Sequence, residues 1–319
     1  MALHDVVGHE RPVGIIRRAI EIGRVHHAYL FTGMEGIGKK VVAMNMAKAL
    51  NCERQDGDAC DQCAACRRID KGVYPDCITV NPDGAVIKIE QVRGLQQEIA
   101  FKPFEARWRV VIIDGAERLT RASANALLKT LEEPPPQTTL ILIAAAIEGL
   151  PATVLSRCQR IRFTPLTDEE VKKVLANHLA QDQIDILVPL AAGSPGRAVQ
   201  SDWQTVQDVK TTLGTAFAPS LHKRLQLAQD LAREEGKGKI FLELLEGWLR
   251  DIIVYQEVRE EGRLLNRDLI DEIKRVAPCR KSDGLLQAFW TIQKIRQGIE
   301  AHGNLQLALE SAFVTMEGA

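Results

Sequence analysis

The sequence predicts an α/β domain built on a mostly parallel sheet, followed by a helical region without strands. Three observations carry this. Short apolar runs alternate with helical spacing through the first 165 residues, and a glycine-rich turn from Gly33 to Lys39 joins one such run to a helix. Beyond Thr164-Pro165 the strand pattern stops. Strands that alternate with helices are linked by crossovers, and such sheets are parallel and covered on both faces.

The elements follow in order. Pro12 to Ile22 places Val13, Ile16 and Ile20 on one helical stripe. His27 to Thr32 reads as a buried strand and Lys39 to Leu50 as a helix. Val86 to Ile89 is strand-like, and Gln91 to Ala100 is helical. Val110 to Ile113 is an unbroken apolar run that ends at Asp114. Ala122 to Leu131 is a helix stopped by Pro134-Pro135-Pro136, and Thr139 to Ala144 and Gln159 to Phe163 complete the strands. Thr167-Asp168-Glu169-Glu170 has the form of a capping box. Ser194 opens a further helix, and Leu221 to Arg233, Lys239 to Val258, Leu269 to Val276 and Leu285 to Ile299 carry helical spacing. Boundaries fall near 165 and 207.

Composition narrows the function classes. The 319 residues carry 41 basic and 42 acidic side chains, so no global positive field marks a nucleic-acid binder. The longest apolar run, Leu140 to Ile147, is far shorter than the roughly 20 residues of a membrane span. Met1-Ala2-Leu3-His4-Asp5 lacks the basic-then-apolar pattern of a signal peptide, so a soluble, cytoplasmic protein without membrane contact is expected.

Gly33-Met34-Glu35-Gly36-Ile37-Gly38-Lys39 stands where a phosphate-binding loop belongs, after a strand and before a helix. Glycines let backbone N–H groups turn toward phosphate oxygens, and Lys39 is placed for the outer phosphates. Lys40 stands where a Ser or Thr hydroxyl would bind magnesium. An ammonium has no acceptor oxygen and repels the metal. Asp114 ends a strand, as a metal-holding carboxylate does, but Gly115 follows it in place of a catalytic glutamate. Nucleotide binding is therefore left open, magnesium is disfavoured, and hydrolysis by the chain itself is not expected.

Cys52, Cys60, Cys63 and Cys66 form a compact four-thiol segment, within a module near 50–78. Four thiolates at this spacing suit tetrahedral zinc, and a fully sulfur-bound zinc has no open position for catalysis. Cys77, Cys158 and Cys279 are isolated and read as small apolar residues.

An ordered series of motifs resembles the delta-prime-type subunits of bacterial DNA polymerase III clamp loaders, within the AAA+ superfamily. It comprises Val7-Gly8-His9-Glu10, His27 to Gly33, the four cysteines, Ile112 to Glu117 and Asn125 to Pro135. Ser156-Arg157-Cys158, Gly193 to Arg197 and Asn304 to Glu310 complete it. The resemblance implies a P-loop-type nucleotide-fold domain over 1–165, a helical lid over 166–207 and an all-helical collar over 208–319. It implies gamma/tau and delta subunits as partners. Through the assembled ring it implies a sliding clamp and primer-template DNA at replication forks. By the same resemblance, Arg157 is an arginine finger acting on a neighbouring subunit's ATP, and Arg197 is a lid arginine that senses phosphates. Two other readings stay open: an active ATP-hydrolysing AAA+ subunit, and a zinc-containing DNA-binding module with a basic patch around the cysteines. In the last domain Phe241, Trp248, Tyr255, Phe289 and Trp290 divide between helix packing and interfaces in a way that sequence does not settle.

Overall fold

A computed structural model of the chain describes residues 1–217, 220–234, 236–300 and 304–316. The chain forms two compact units, one of residues 1–174 with 193–196 and one of residues 175–192 with the chain from 197 onward.

The first unit holds five strands, β1 (Ala28–Thr32), β2 (Cys77–Val80), β3 (Arg109–Asp114), β4 (Thr138–Ala144) and β5 (Gln159–Arg162). They pair in the order β2-β3-β4-β1-β5, and every pairing is parallel. Its helices are α1 (Glu10–Glu21), α2 (Lys39–Asn51), α3 (Ala64–Asp70), α4 (Ile89–Ile99), α5 (Arg121–Glu132) and the short α6 (Ala152–Leu155). α7 (Asp168–Leu175) ends at the boundary between the units. Thr167 and Glu170 cap it reciprocally: the Thr167 N–H donates to Glu170 Oε2 at 2.7 Å, and the Glu170 N–H donates to Thr167 Oγ1 at 3.3 Å.

Strand alternation splits the central residues between two buried faces. Leu30, Val111, Ile113, Leu140 and Leu142 pack with Val92, Leu95 and Ile99 of α4 and Ala124, Leu127 and Leu131 of α5. Tyr29, Phe31, Val110, Ile112, Ile141 and Ile143 are buried on the alternate positions. Near-continuous apolar strands are what a two-sided parallel sheet requires.

One strand expectation is corrected. Val86 and Ile87 make only isolated bridges, to Asp83 and Leu119, and α4 already begins at Ile89. The Lys88 N–H donates to Gln91 Oε1 at 3.0 Å, which starts the helix. The edge strand is instead Cys77–Val80, whose four residues pair with Val110 to Ile113. Cys77 is thus a strand residue, its thiol pushed up to about 11 by burial.

The second unit is helical, and no strand occurs among its described residues. It contains α8 (Gln181–Ala191), α9 (Pro195–Gln200, from Arg197 onward), α10 (Trp203–Thr211) and α11 (Leu221–Arg233). α12 (Lys237–Val258), α13 (Ile270–Val276), α14 (Ser282–Glu300) and α15 (Leu305–Thr315) follow. α12 is the central rod: Phe241, Leu245, Trp248, Leu249 and Ile252 meet Leu231 of α11, Leu285 and Ile292 of α14 and Phe313 of α15. The aromatics divide accordingly. Phe241 and Trp248 are fully buried, Tyr255 and Phe289 pack partly on the core, and Trp290 is 57% exposed.

Candidate functional site: a phosphate-type loop, an arginine cleft and a cysteine cluster

The sheet order brings the expected loop and Asp114 to one rim. Phe31 of β1 and Asp114 of β3 both pair with Ile143 of β4, so Gly33 and Asp114 emerge at nearly the same level on either side of β4. In open parallel sheets this carboxyl edge is where ligands bind. Gly33 is required where it stands. Its φ is +149°, and a Cβ there would lie 2.5 Å from the Phe163 carbonyl oxygen.

The loop is held by the chain's own donors. Lys39 is buried, and its ammonium donates to the carbonyls of Gly33 and Met34. Ser194 Oγ donates to the Glu35 carbonyl at 2.7 Å, and the Gly196 N–H donates to the Gly36 carbonyl at 2.9 Å. His9 Nε2 lies 2.9 Å from the Ile37 carbonyl. Five consecutive carbonyls are thereby engaged. A Cβ on Gly196 would come within 2.7 Å of Gly36, so only glycine permits this approach. Burial lowers the pKa of Lys39, and the charges of Glu117, Asp114 and Glu35 oppose that shift.

Lys40 does more than omit a hydroxyl. Its Nζ lies 3.0 Å from Asp114 Oδ2 and 3.4 Å from Asn81 Oδ1. The carboxylate expected to hold magnesium is neutralised by the residue in the magnesium-binding position. Between β1 and β3 the rim of β4 offers only Ala144, which cannot orient a water molecule. Gly115 follows Asp114 at φ +74°, and the turn behind it returns Glu117 toward Lys39. Glu117 Oε2 is buried without a hydrogen-bond partner. Its place three positions beyond Asp114 suggests a side chain that points elsewhere unless a turn returns it, and that turn is present.

Arg157 follows α6 in a cleft lined by His26, His27, Leu131, Glu132, Ser156, Cys158 and Gln159. Its Nη2 lies 2.7 Å from Glu132 Oε1, and its Nη1 donates to the Thr153 carbonyl at 2.9 Å. Arg197 lies in the second unit, where its Nη2 pairs with Glu243 Oε1 of α12 at 2.7 Å. Arg296 shares Glu243 at 3.1 Å and also pairs with Glu246, so Arg197 belongs to an alternating four-charge network.

Cys52, Cys60, Cys63 and Cys66 converge, with all four sulfurs within 4.8 Å of one another. They share a small apolar pocket with Ala2 and Ala59. Cys63 caps α3, its sulfur accepting from the Cys66 N–H at 3.5 Å, and Cys60 Sγ accepts from the Cys63 N–H at 3.3 Å. Backbone N–H donation from Gln62 and Cys63 holds the Cys60 thiol down at about 6, while burial pushes Cys52 and Cys66 up. Converging sulfurs with N–H donors behind them fit a metal ion that takes thiolate ligands. Several of the surrounding charges are paired. Lys48, fully buried, meets Asp61 at 2.6 Å and Asp70 at 2.9 Å, and Arg68 meets Glu105 at 2.7 Å. These pairs take Lys48 and Arg68 out of any basic patch beside the cysteines, where Arg67 and Lys71 are exposed.

Sequence reasoning missed one structural device beside the edge strand. The buried Asp76 carboxylate accepts from the N–H groups of Phe104, Glu105 and Ala106, each at 2.9 Å, and from the Arg109 guanidinium. Arg109 also donates to the Phe101 and Lys102 carbonyls. This cage fixes a loop that presents Phe101 and Phe104 to solvent, 76% and 83% exposed. The only sequence signal was an acidic residue one position before an unrecognised strand.

Two family models match the chain: DNA polymerase III, delta subunit, over residues 8–167, and its C-terminal counterpart over residues 200–317. The chain is 27% identical to DNA polymerase III subunit delta' of Bacillus subtilis over 327 aligned residues, covering 96% of this chain and 95% of that protein. It is 38% identical to subunit gamma of Buchnera aphidicola over 183 residues, covering 57% of this chain and 50% of that protein. Against subunit tau of Escherichia coli it is 38% identical over 181 residues, covering 56% of this chain and 28% of that protein. The chain thus spans half or less of these gamma and tau relatives, and nearly all of the delta' relative. Among the described residues no helix is long and apolar enough to cross a membrane.

Proposed function

The chain belongs to the DNA polymerase III delta-subunit family, and from that membership we propose that it is a non-hydrolysing, delta-prime-type subunit of a bacterial clamp loader. In this reading it joins gamma/tau and delta subunits in a ring that places a sliding clamp on primed DNA. The observation that carries the non-hydrolysing part is the Lys40–Asp114 ion pair at 3.0 Å. A magnesium nucleotide needs a free carboxylate and a hydroxyl at that rim, and this chain supplies a neutralised carboxylate and an ammonium. Glu117 is the one observation that favours intrinsic hydrolysis, and it lacks a metal site to act beside.

The division of labour we propose has three parts: a nucleotide-fold domain over 1–165, a lid over 166–207 and a collar over 208–319. Exposed Trp290 on α14 and Leu307 on α15 give the collar apolar surface for neighbours. Arg157 serves as the finger in trans, since a guanidinium stays charged and offers a fixed fork of donors. Arg197, occupied by Glu243, holds the second unit together rather than sensing phosphate. The cysteine cluster takes zinc, which favours four thiolates in a tetrahedron and would staple the excursion between α2 and α3.

The experiment is assembly from purified subunits, with ATP turnover followed for the isolated chain and for the complex. The reading expects no magnesium-dependent turnover by the chain alone and a complex that assembles only when it is present. Turnover by the chain alone that Lys39→Ala abolishes would overturn the non-hydrolysing assignment.

A further inference from the structure

We propose that Glu132 parks Arg157, acting as a positioning residue that competes with the neighbouring subunit's phosphates for the guanidinium. The proposal rests on the reading of Arg157 as a finger and adds what sets its engagement. Glu132 is the last residue of α5, immediately before Glu133 and the proline run, and its carboxylate lies 2.7 Å from Arg157 Nη2. The Thr153 carbonyl and Ser156 Oγ take Nη1 at 2.9 and 3.3 Å, so the side chain lies along its own cleft. Glu132 is the one carboxylate among the residues that line this cleft. The others include the stacked rings of His26 and His27, and His27 Nε2 is buried without a hydrogen-bond partner. Among the lining residues Arg157 is the one guanidinium and Glu132 the one carboxylate, so Glu132 both holds the arginine and repels an incoming phosphate. The pair is also built to open, because Glu132 is 51% and Arg157 35% exposed and water competes for both. Arg157 therefore reaches a triphosphate only by exchanging one anion for another.

The test uses the fully assembled loader and ATP, with Glu132→Gln, Arg157→Ala and the double variant measured beside wild type. Glutamine keeps the shape and removes the charge. Freeing the arginine strengthens ground-state and transition-state contacts alike, so the KM for ATP should fall about 2- to 5-fold at unchanged kcat. The gain should shrink as salt screens the pair in wild type, and it should vanish in the Arg157→Ala background. A wild-type KM in Glu132→Gln, a fall in its kcat, or a KM gain that persists without Arg157 each overturns parking, even where Arg157→Ala lowers turnover as the finger reading expects. If Arg157→Ala itself leaves turnover unchanged, the finger reading fails and the parking role fails with it.

Discussion

At the scale of residues, Lys40 decides the character of the rim. Its ammonium meets Asp114 at 3.0 Å and replaces both the hydroxyl and the positive charge that a nucleotide-bound magnesium would supply. Lys39, Asp114 and the glycines are otherwise in place, so Lys40→Thr should gain magnesium-dependent ATP binding. Removal of one adverse ion pair at this level of exposure is worth about 2- to 5-fold in affinity, and titration with and without magnesium measures it. Gly115 still stands in place of a glutamate next to Asp114 and Glu117 is the one carboxylate returned toward Lys39, so any turnover gained by Lys40→Thr should disappear in Lys40→Thr with Glu117→Gln. Arg197 is a second case in which position in sequence and position in space differ. Its Gly-Ser-Pro-Gly-Arg context suggests a phosphate sensor, yet Glu243 and Arg296 enclose it in a charge network of the helical unit. Arg197→Ala should therefore lower the unfolding midpoint of the chain while leaving ATP turnover by an assembled loader nearly unchanged. Loss of turnover at unchanged stability would restore the sensor role.

At the scale of elements, the cysteine module and the caged loop behave as separate devices. Metal analysis of protein prepared without chelators should find stoichiometric zinc, and Cys63→Ser should lose it, because three thiolates cannot close the tetrahedron. The α/β core should survive that change, since the sheet packs on α4 and α5 independently of the cysteines. The loop after α4 depends on Asp76. Burial pushes its carboxyl up, but three backbone N–H groups and Arg109 outweigh this and leave the pKa lowered. The folded value lies below the unfolded one of about 3.9, so the pair's full contribution is present above that pH and is lost as pH falls through the folded value. Asp76→Asn strands the buried Arg109 charge and should cost about 3–5 kcal/mol at neutral pH. Urea titrations should show that deficit shrinking below about pH 4. A deficit constant down to pH 2 would remove Asp76 as its source. Phe101→Ala with Phe104→Ala should leave stability within about 0.5 kcal/mol, both rings being exposed, and should weaken a partner contact if this loop docks one. The sequence made the central strands and the helices legible because long apolar runs and 3.6-residue spacing report burial directly. β2 was not legible: its four residues are secured by the neighbouring Asp76 cage, which no local pattern announces. Val86 and Ile87 look like a strand only because β-branched residues cluster there, and helix initiation at Lys88 cuts the run short.

At the scale of the whole molecule, the proposed function joins the Lys40–Asp114 pair at the rim, which disfavours a magnesium nucleotide there, with Arg157 proposed to act on a neighbouring subunit. The glycine loop, Asp114, Arg157 and the four cysteines were legible as motifs. The pairings of Lys40 with Asp114, Ser194 with the glycine loop and Glu132 with Arg157 were not, because contacts between distant segments leave no spacing in a sequence. The central claim is that this chain contributes to ATP turnover without performing it, and Arg157→Ala in the assembled loader tests it most directly. Assembly and steady-state turnover are measured together at saturating subunit concentrations, with clamp and primed DNA present. The account predicts a folded, fully assembled complex whose total turnover falls only in part. The neighbour's site should lose about 10³-fold or more of its rate while the remaining sites continue. Turnover equal to wild type in a fully assembled Arg157→Ala complex would contradict the account.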